Sequence, residues 1–223
     1  MHEASYPVAS VHARGSRKKT FRKLRTFVPD LREWRPWRPQ EVAARLADVA
    51  APWCVVGGWA LELHAGRSWR AHDDIEIGVP AHRFDEVAAA LRGYELYVAG
   101  DGLVSPYPDR AGEQHQTWVR DADARAWRLD VFREPSAGGS WICRRDPRLR
   151  LPYSELIERS AAGIPYARPE IVLLFKAKAA RTKDDDDLAQ VLPALSPAAR
   201  RWLADALVLV HGDHPWLRSL GGR

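Results

Sequence analysis

The sequence predicts an α+β fold, with strands and helices alternating over residues 40–150 and helices alone over residues 151–220. Short apolar runs bounded by Gly, Pro and Asp recur in the first part, which is typical of strands. From residue 153 the apolar residues follow helical spacing instead. A composition of 46% hydrophobic and 28% charged residues in 223 excludes a globally disordered chain. No apolar run reaches the ~18 residues of a membrane-spanning helix.

The elements of the first part are placed by these patterns. Strands are predicted over residues 53–56, 75–79, 95–98, 116–119, 127–132 and 141–143. Helices are predicted over residues 40–49, 59–65 and 83–91, the first broken by Pro52. In the second part, helical patterns cover residues 154–159, 169–183, 187–192 and 197–210.

The positive charge is concentrated near the N-terminus. Residues 14–38 hold ten basic and two acidic residues, although the whole chain carries a net charge of only +5. We therefore expect three parts: a basic, disordered tail over 1–38, a core over 39–150 and a helical subdomain over 151–223. The tail is interpreted as a disordered leader, with contact to nucleic acid or another anionic surface as the alternative.

The two cysteines indicate reduced, buried thiols. Cys54 and Cys143 each lie in an apolar, strand-like run. The histidines lack the compact spacing of zinc ligands, so no zinc site is expected. The N-terminus has no hydrophobic segment of the secretory type, and a cytoplasmic location is expected by default.

A pair of glycines joins the first predicted strand to the next helix. Gly57 and Gly58 allow the backbone to approach an anion closely, and the helix start that follows presents free N–H groups to it. The pattern indicates a phosphate site, with an ordinary structural turn as the alternative.

Three carboxylates are candidates for a metal site. Asp74 and Glu76 are two residues apart on a predicted strand, so both side chains are expected on one face, while Asp73 points to the other. Asp130 interrupts an apolar strand, where an unpaired acid is costly. If the two strands are neighbours, the three carboxylates converge, and such hard oxygen ligands suit Mg²⁺. A merely polar strand edge is the alternative.

The order of these residues resembles the nucleotidyltransferase superfamily that includes DNA polymerase β. The string GGWALELHAGR, followed by Arg70, His72, Asp74 and Ile75, is most similar to the aminoglycoside 2″- and lincosamide nucleotidyltransferases. The resemblance implies a core with a mixed β-sheet flanked by helices, followed by a C-terminal helical subdomain. It also implies Mg²⁺ as cofactor and a nucleoside triphosphate, most readily ATP, as co-substrate.

The resemblance further implies roles for individual residues. Asp74, Glu76 and Asp130 would hold Mg²⁺, and Asp130 would act as metal ligand, as general base for the acceptor hydroxyl, or as both in turn. The residues implied for nucleotide binding are Gly57, Gly58, Trp59, Arg70, Lys176, Lys178 and Lys183. For the lysines, a solvated helix face is the alternative, and for His72 and His115 structural hydrogen bonding is favoured.

One position departs from the family pattern. Glu76 stands where the resistance enzymes usually carry Asp, and its longer side chain is expected to move the metal or reshape the site. The implied reaction transfers a nucleoside monophosphate to an acceptor hydroxyl, on an aminoglycoside- or lincosamide-like small molecule. The alternatives are a toxin–antitoxin-type enzyme acting on tRNA or protein, and a degenerate member that binds nucleotide or RNA without turnover.

Overall fold

The computed structural model describes residues 30–221, which form a mixed eight-stranded sheet flanked by helices, with a small three-stranded sheet beside it. The strand order of the large sheet is β10-β11-β1-β2-β6-β5-β3-β4. Two of its pairs, β1 with β11 and β2 with β6, are parallel, and the others are antiparallel. The α+β fold with a mixed sheet is therefore confirmed.

The large sheet is built from β1 (Cys54–Val56), β2 (Glu76–Pro80), β3 (Glu95–Gly100), β4 (Leu103–Pro106), β5 (Gln116–Asp121), β6 (Ala126–Glu134), β10 (Ile157–Arg159) and β11 (Pro165–Ala167). The small sheet holds β7 (Ser136–Ala137), β8 (Ser140–Ile142) and β9 (Arg150–Pro152). The α-helices are α1 (Pro39–Arg45), α2 (Gly57–Ala65), α3 (Phe84–Ala90), α4 (Tyr153–Leu156), α5 (Pro169–Lys176), α6 (Thr182–Val191), α7 (Pro197–His211) and α8 (Trp216–Ser219).

The two faces of the central strands differ in chemistry. Val55, Ile77 and Val131 lie on one face and are completely buried in the core. Because side chains alternate along a strand, Val56, Glu76 and Asp130 project from the opposite face. Glu76 and Asp130 thus lie on the opposite side of the central strands from the buried aliphatic residues Val55, Ile77 and Val131.

The second part of the chain, predicted to be helical, begins with a short helix and two strands. Residues 154–159 were expected to be helical, but α4 ends at Leu156 and β10 follows at once. Strand β11 then pairs in parallel with β1, so residues 157–167 extend the large sheet. Strands this short carry little local signal, and their pairing partners lie far away in sequence. The boundary at 150/151 stays a prediction.

The continuous helix predicted over residues 169–183 is interrupted. Helix α5 passes into a short 3-10 turn, and the backbone is extended at Arg181 before α6 begins. The Asp184 carboxylate accepts a hydrogen bond from the Arg181 backbone N–H at 3.1 Å and caps the new helix. This local bond competes with continuation of α5, because it satisfies an N–H at the start of α6.

Only the last residues of the predicted tail are within the described range. Residues 1–29, for which disorder was predicted, lie outside the described residues. Residues 30–38 are packed on the sheet: the Trp127 N–H donates to the Glu33 carbonyl at 2.8 Å, and the Trp37 N–H donates to the Arg128 carbonyl at 3.0 Å. Trp34 packs edge-on against Trp118, with ring centroids 5.2 Å apart.

Two simpler expectations agree with the structure. Cys54 and Cys143 are buried free thiols, and burial raises the pKa of Cys54 to about 12. Within residues 30–221, every helix is too short or too polar to cross a membrane.

Candidate active site

The centre of the candidate site is a pair of carboxylates on neighbouring strands. Glu76 of β2 and Asp130 of β6 are direct partners in a parallel register, and the Asp130 N–H donates to the Ile75 carbonyl at 2.9 Å. Both side chains therefore leave the same face of the sheet. Asp74 is exposed in the loop just before β2, rather than on the strand itself. The predicted adjacency of the two strands is confirmed by the register.

The carboxylates perturb one another. Burial, together with the charge of Asp74, raises the pKa of Glu76 to about 7, while Lys176, Lys183 and Arg144 act in the opposite direction. Burial and the charge of Glu76 also raise the pKa of Asp130 well above its usual range. Such mutual repulsion is what a shared cation would relieve.

One oxygen of Asp130 is left without a partner. Its Oδ2 accepts a hydrogen bond from Gln116 Nε2 at 2.7 Å, whereas Oδ1 is buried and accepts none from the described residues. Burying a carboxylate oxygen in this way is unfavourable unless another group binds to it. Asp130 is thus satisfied on one side only.

The two glycines are required by close contacts. Gly57 has φ of +65°, and a Cβ there would collide with the Glu76 carboxylate. A Cβ on Gly58 would collide with the Arg70 guanidinium and lie 2.6 Å from His72 Cε1. In this structure the space beside the two glycines is occupied by protein side chains. Phosphate binding by Gly57 and Gly58 stays a prediction. Helix α2 begins at Gly57 without a side-chain cap.

A buried network holds the loop that precedes β2. Glu62 Oε1 accepts hydrogen bonds from the Trp69 and Arg70 backbone N–H groups at 3.0 and 3.2 Å, and lies 3.1 Å from His72 Nε2. The His72 ring stacks on Trp59 with centroids 4.3 Å apart. His72 Nδ1 also lies 3.1 Å from a terminal nitrogen of Arg70, which can donate to it, in agreement with the structural hydrogen bonding that the sequence favoured. Glu62 was not singled out from the sequence, although a buried acid in an apolar helix is itself a signal.

Trp59 also fixes the position of the acidic loop. Its indole N–H donates to the Asp74 carbonyl at 3.1 Å. The stacked Trp59 and His72 rings thus link the start of α2 to the residues just before β2. Binding of a base or sugar by Trp59 stays a prediction.

The predicted phosphate-binding residues Arg70 and Lys176 are tied to buried aspartates. Arg70 donates from Nε and a terminal nitrogen to the two Asp187 oxygens, both at 3.0 Å. Lys176 Nζ lies 2.7 Å from Asp184 Oδ1 and 3.0 Å from Asp187 Oδ2. Asp184 and Asp187 are 1% and 0% exposed, so these ion pairs are not those of a solvated helix face. The role of Arg70 and Lys176 toward phosphate stays a prediction. Lys178 and Lys183 are exposed.

A cavity of about 420 Å³ lies on the charged face of the sheet. Its walls include Gly57 and Glu76 from the candidate site, Lys176 at the end of α5, and Lys178 just after that helix. Phe132 and Glu134 also line it, because they follow Asp130 at intervals of two on the same face of β6. This alternation was the signal in the sequence that could have identified them.

The side chain of Glu134 is paired with Arg144. Arg144 donates to the two Glu134 oxygens at 3.0 and 3.2 Å, and it also donates to Nε2 of His115. Burial and the nearby charges of Arg144 and Arg133 lower the pKa of His115 to about 4. Both Glu134 and Arg144 were missed at the sequence level, and His115 is hydrogen-bonded as expected.

The residues fit a cation only in part. Within residues 30–221, no group of three or more His, Cys, Asp or Glu side chains is arranged to hold a metal ion. The unpartnered Asp130 Oδ1 and its register partner Glu76 nevertheless offer hard oxygen ligands, the type that Mg²⁺ prefers. Asp74 is close enough for its charge to act on both.

A mixed sheet with carboxylates on two adjacent strands, next to a Gly-Gly helix start, is the core expected of a nucleotidyltransferase. Residues 40–107 match the family model described as aminoglycoside-2″-adenylyltransferase. This match includes Gly57, Gly58, Asp74 and Glu76. The resemblance predicted from the motifs is therefore confirmed.

Solved structures of two such proteins share the fold. A crystal structure of ANT(2″)-Ia in complex with adenylyl-2″-tobramycin has 17% identity and a TM-score of 0.52, covering 75% of this chain and 93% of that one. The lincosamide antibiotic adenylyltransferase LnuA, with lincomycin bound, has 17% identity and a TM-score of 0.51, covering 76% and 100%. No curated protein sequence matches the chain. The fold is thus that of these nucleotidyltransferases.

Proposed function

We propose that this protein is a Mg²⁺-dependent nucleotidyltransferase that moves a nucleoside monophosphate, with ATP as the expected donor, to a hydroxyl of a small acceptor. The observation that carries the proposal is the pairing of Glu76 with Asp130 in register. Glu76 lines the cavity together with Gly57, at the start of α2. Asp74 stands two residues before Glu76. A cytoplasmic location, where ATP and Mg²⁺ are available, belongs to the same proposal.

The proposed metal ligands are Asp74, Glu76 and Asp130. When bound, Mg²⁺ would offset the charge of the triphosphate and polarise the phosphorus under attack. The buried Oδ1 of Asp130 supports this assignment, because it accepts no hydrogen bond of normal geometry from the described residues, although the neighbouring Trp118 indole acts to lower the Asp130 pKa. The same atom is the candidate acceptor for the proton of the attacking hydroxyl.

The triphosphate is proposed to lie between the start of α2 and the basic residues after α5. The uncapped N–H groups at Gly57 and Gly58 favour an anion, as does the positive end of the helix dipole. Lys176 and Lys178 line the same cavity, and Lys183 acts on the Glu76 charge. Ammonium groups here would offset charge that builds on the pyrophosphate leaving group. Arg70 is proposed to act through the network that positions Gly58 and the loop before β2.

The acceptor is proposed to be a small hydroxylated antibiotic. ANT(2″)-Ia is described in complex with adenylyl-2″-tobramycin, and LnuA with lincomycin bound. Attack of the acceptor hydroxyl on the α-phosphorus would form the new phosphoester and release pyrophosphate.

The reaction is tested by incubating the full chain with ATP, Mg²⁺ and either lincomycin or tobramycin, and by measuring pyrophosphate release and product mass. We expect an acceptor that gains one AMP, and loss of this product with the D74N variant. Absence of product with both acceptors while ATP still binds would favour the degenerate alternative, and absence of ATP binding as well would contradict the proposal. Salt-sensitive RNA binding would favour a macromolecular acceptor.

A further inference from the structure

We propose that the Glu134–Arg144 pair sets the charge specificity of the acceptor site, so that the acceptor is a hydroxylated molecule with an apolar face and at most one cationic group. This inference deepens the proposed function and rests on it. It applies to the acceptor side of the cavity, and not to the residues assigned to metal or triphosphate.

The cavity contains few carboxylates for a cationic ligand. Its acidic lining consists of Glu76, Glu134 and Asp184, against five basic side chains: Arg144, Arg145, Lys176, Lys178 and Arg181. Lys176 and Arg181 already bind Asp184, at 2.7 and 2.9 Å. Glu76 is assigned to the metal. Glu134 is therefore the carboxylate left to receive a cationic group of the acceptor.

Glu134 is not available either. Both of its oxygens accept hydrogen bonds from Arg144, and the Glu134 side chain is only 11% exposed. The guanidinium is held from two further directions, since it lies 5.1 Å from the ring centroids of both Phe132 and Phe175. A fork-shaped pair of this kind is strong and geometrically specific.

Arg145 adds a further positive charge to the cavity that no carboxylate of the described residues neutralises. Arg145 lies over Phe175 at 4.7 Å and donates to the Leu174 and Phe175 carbonyls. No carboxylate within the described range forms an ion pair with it. A polycationic acceptor would therefore meet positive charge and no free carboxylate, which makes desolvation of its ammonium groups unfavourable.

The rest of the wall suits an apolar face. Val56, Phe132, Trp141, Ile171 and Phe175 line the cavity. Trp141 and Phe175 pack against each other with ring centroids 6.1 Å apart. Apolar and aromatic walls with a few polar groups are typical of small-molecule sites. A sugar-like acceptor that also has an apolar substituent matches this surface better than a hydrophilic polyamine.

The first experiment measures binding of two probes to the full chain by calorimetry, without nucleotide and again with ATP and Mg²⁺. Lincomycin has one basic amine and an apolar chain, whereas tobramycin has several ammonium groups. We expect lincomycin to bind at least tenfold more tightly. Equal affinity, tighter tobramycin binding, or no binding of lincomycin would overturn the proposal.

The second experiment releases the Glu134 carboxylate. The R144M variant is expected to raise tobramycin affinity at least tenfold. The matched control is R148M, which removes the same charge and frees the Asp146 carboxylate from its 2.6 Å pair outside the cavity. We expect no gain with R148M. Equal gains in both variants, or none in R144M while its melting temperature is retained, would contradict the proposal.

A third variant guards against loss of folding in R144M. E134Q leaves Arg144 without its carboxylate partner. The free guanidinium should then favour an anionic ligand over an uncharged ligand of the same shape. We expect 4-nitrophenyl β-D-glucuronide to gain affinity relative to the uncharged 4-nitrophenyl β-D-glucoside. An unchanged ratio would count against the proposal. Failure of the proposed function has a different signature, namely no ATP binding while the order of probe affinities persists.

Discussion

Glu76 and Asp130 are register partners on two adjacent parallel strands, although they are 54 positions apart in the sequence. The pairing brings two acids to one face of the sheet, opposite the face on which Ile77 and Val131 are completely buried. Asp130 retains an unpartnered buried oxygen there. The arrangement is unfavourable for stability alone, which is why we assign it to function.

The carboxylates should differ from ordinary buried acids in their effect on activity. E76Q and D130N each remove a proposed metal ligand, so we expect adenylyl transfer to fall at least about 100-fold. E76D keeps the charge and should retain activity within about tenfold of wild type, because a shorter carboxylate can still ligate Mg²⁺. Steady-state pyrophosphate release measures all three. Full activity in E76Q would contradict the assignment.

The glycine at the start of α2 provides a second test. Gly57 and Gly66 both have positive φ, at +65° and +66°, but only Gly57 has a neighbour where a Cβ would lie. Each Ala substitution costs about 1 kcal/mol of backbone strain. We expect G57A alone to displace Glu76 and to weaken binding of MgATP at least tenfold.

G66A is the matched control for that strain, since no atom lies within 4 Å of the place that a Cβ would take at Gly66. Its melting temperature should fall by a similar amount, with nucleotide affinity retained. Comparable loss of MgATP affinity in both variants would show that strain, and not the Glu76 contact, governs binding.

The buried ion-pair network should be important for stability. Asp187 is fully buried and accepts hydrogen bonds from Arg70 and Trp69 while pairing with Lys176. D187N removes the carboxylate from two partly buried cations, of which Lys176 keeps Asp184, so we expect about 2–3 kcal/mol of destabilisation in urea unfolding. D186N, at the exposed neighbouring position, is the control and should change stability little. Equal unfolding midpoints in the two variants would refute this role.

The pH dependence of stability should contain a contribution from His115. Burial and the charges of Arg144 and Arg133 lower its folded-state pKa to about 4, whereas an unfolded histidine has a pKa of about 6.5. The unfolded state therefore binds more protons between these values, and folding stability is lost as the pH falls from about 6.5 toward 4. Above about 6.5 the contribution is fully present.

The difference between wild type and H115Q isolates this contribution from that of the carboxylates. We expect the unfolding free energy of wild type to decline relative to H115Q over that interval. Parallel pH profiles of the two proteins would show that His115 titrates normally in the folded state.

The sequence indicated the acids more readily than their surroundings. Asp74, Glu76 and Asp130 stood out because charges interrupt apolar strands, and Gly57-Gly58 because a strand and a helix flank it. Strand β11 could not be predicted, since three residues carry little local signal and its partner β1 lies over 100 positions away. Arg144 was missed because only the fold brings it to Glu134.

The lysine region shows the same limit. The family resemblance implied a phosphate ligand for Lys176, and helical spacing left a solvated helix face as the alternative. Its actual partners, Asp184 and Asp187, become buried only because the chain turns at Ala180 and begins a second helix. The break between the two helices, which the local periodicity did not show, thus determines the ion-pair partners of Lys176.

The central claim is tested most directly by calorimetric titration of ATP into the full chain with and without Mg²⁺, using wild type, D74N and D73N. Asp73 is the exposed neighbour and serves as the matched control. We predict Mg²⁺-dependent ATP binding in wild type and D73N that is lost in D74N. Absence of ATP binding to wild type at millimolar concentration, or unchanged binding in D74N, would contradict the account.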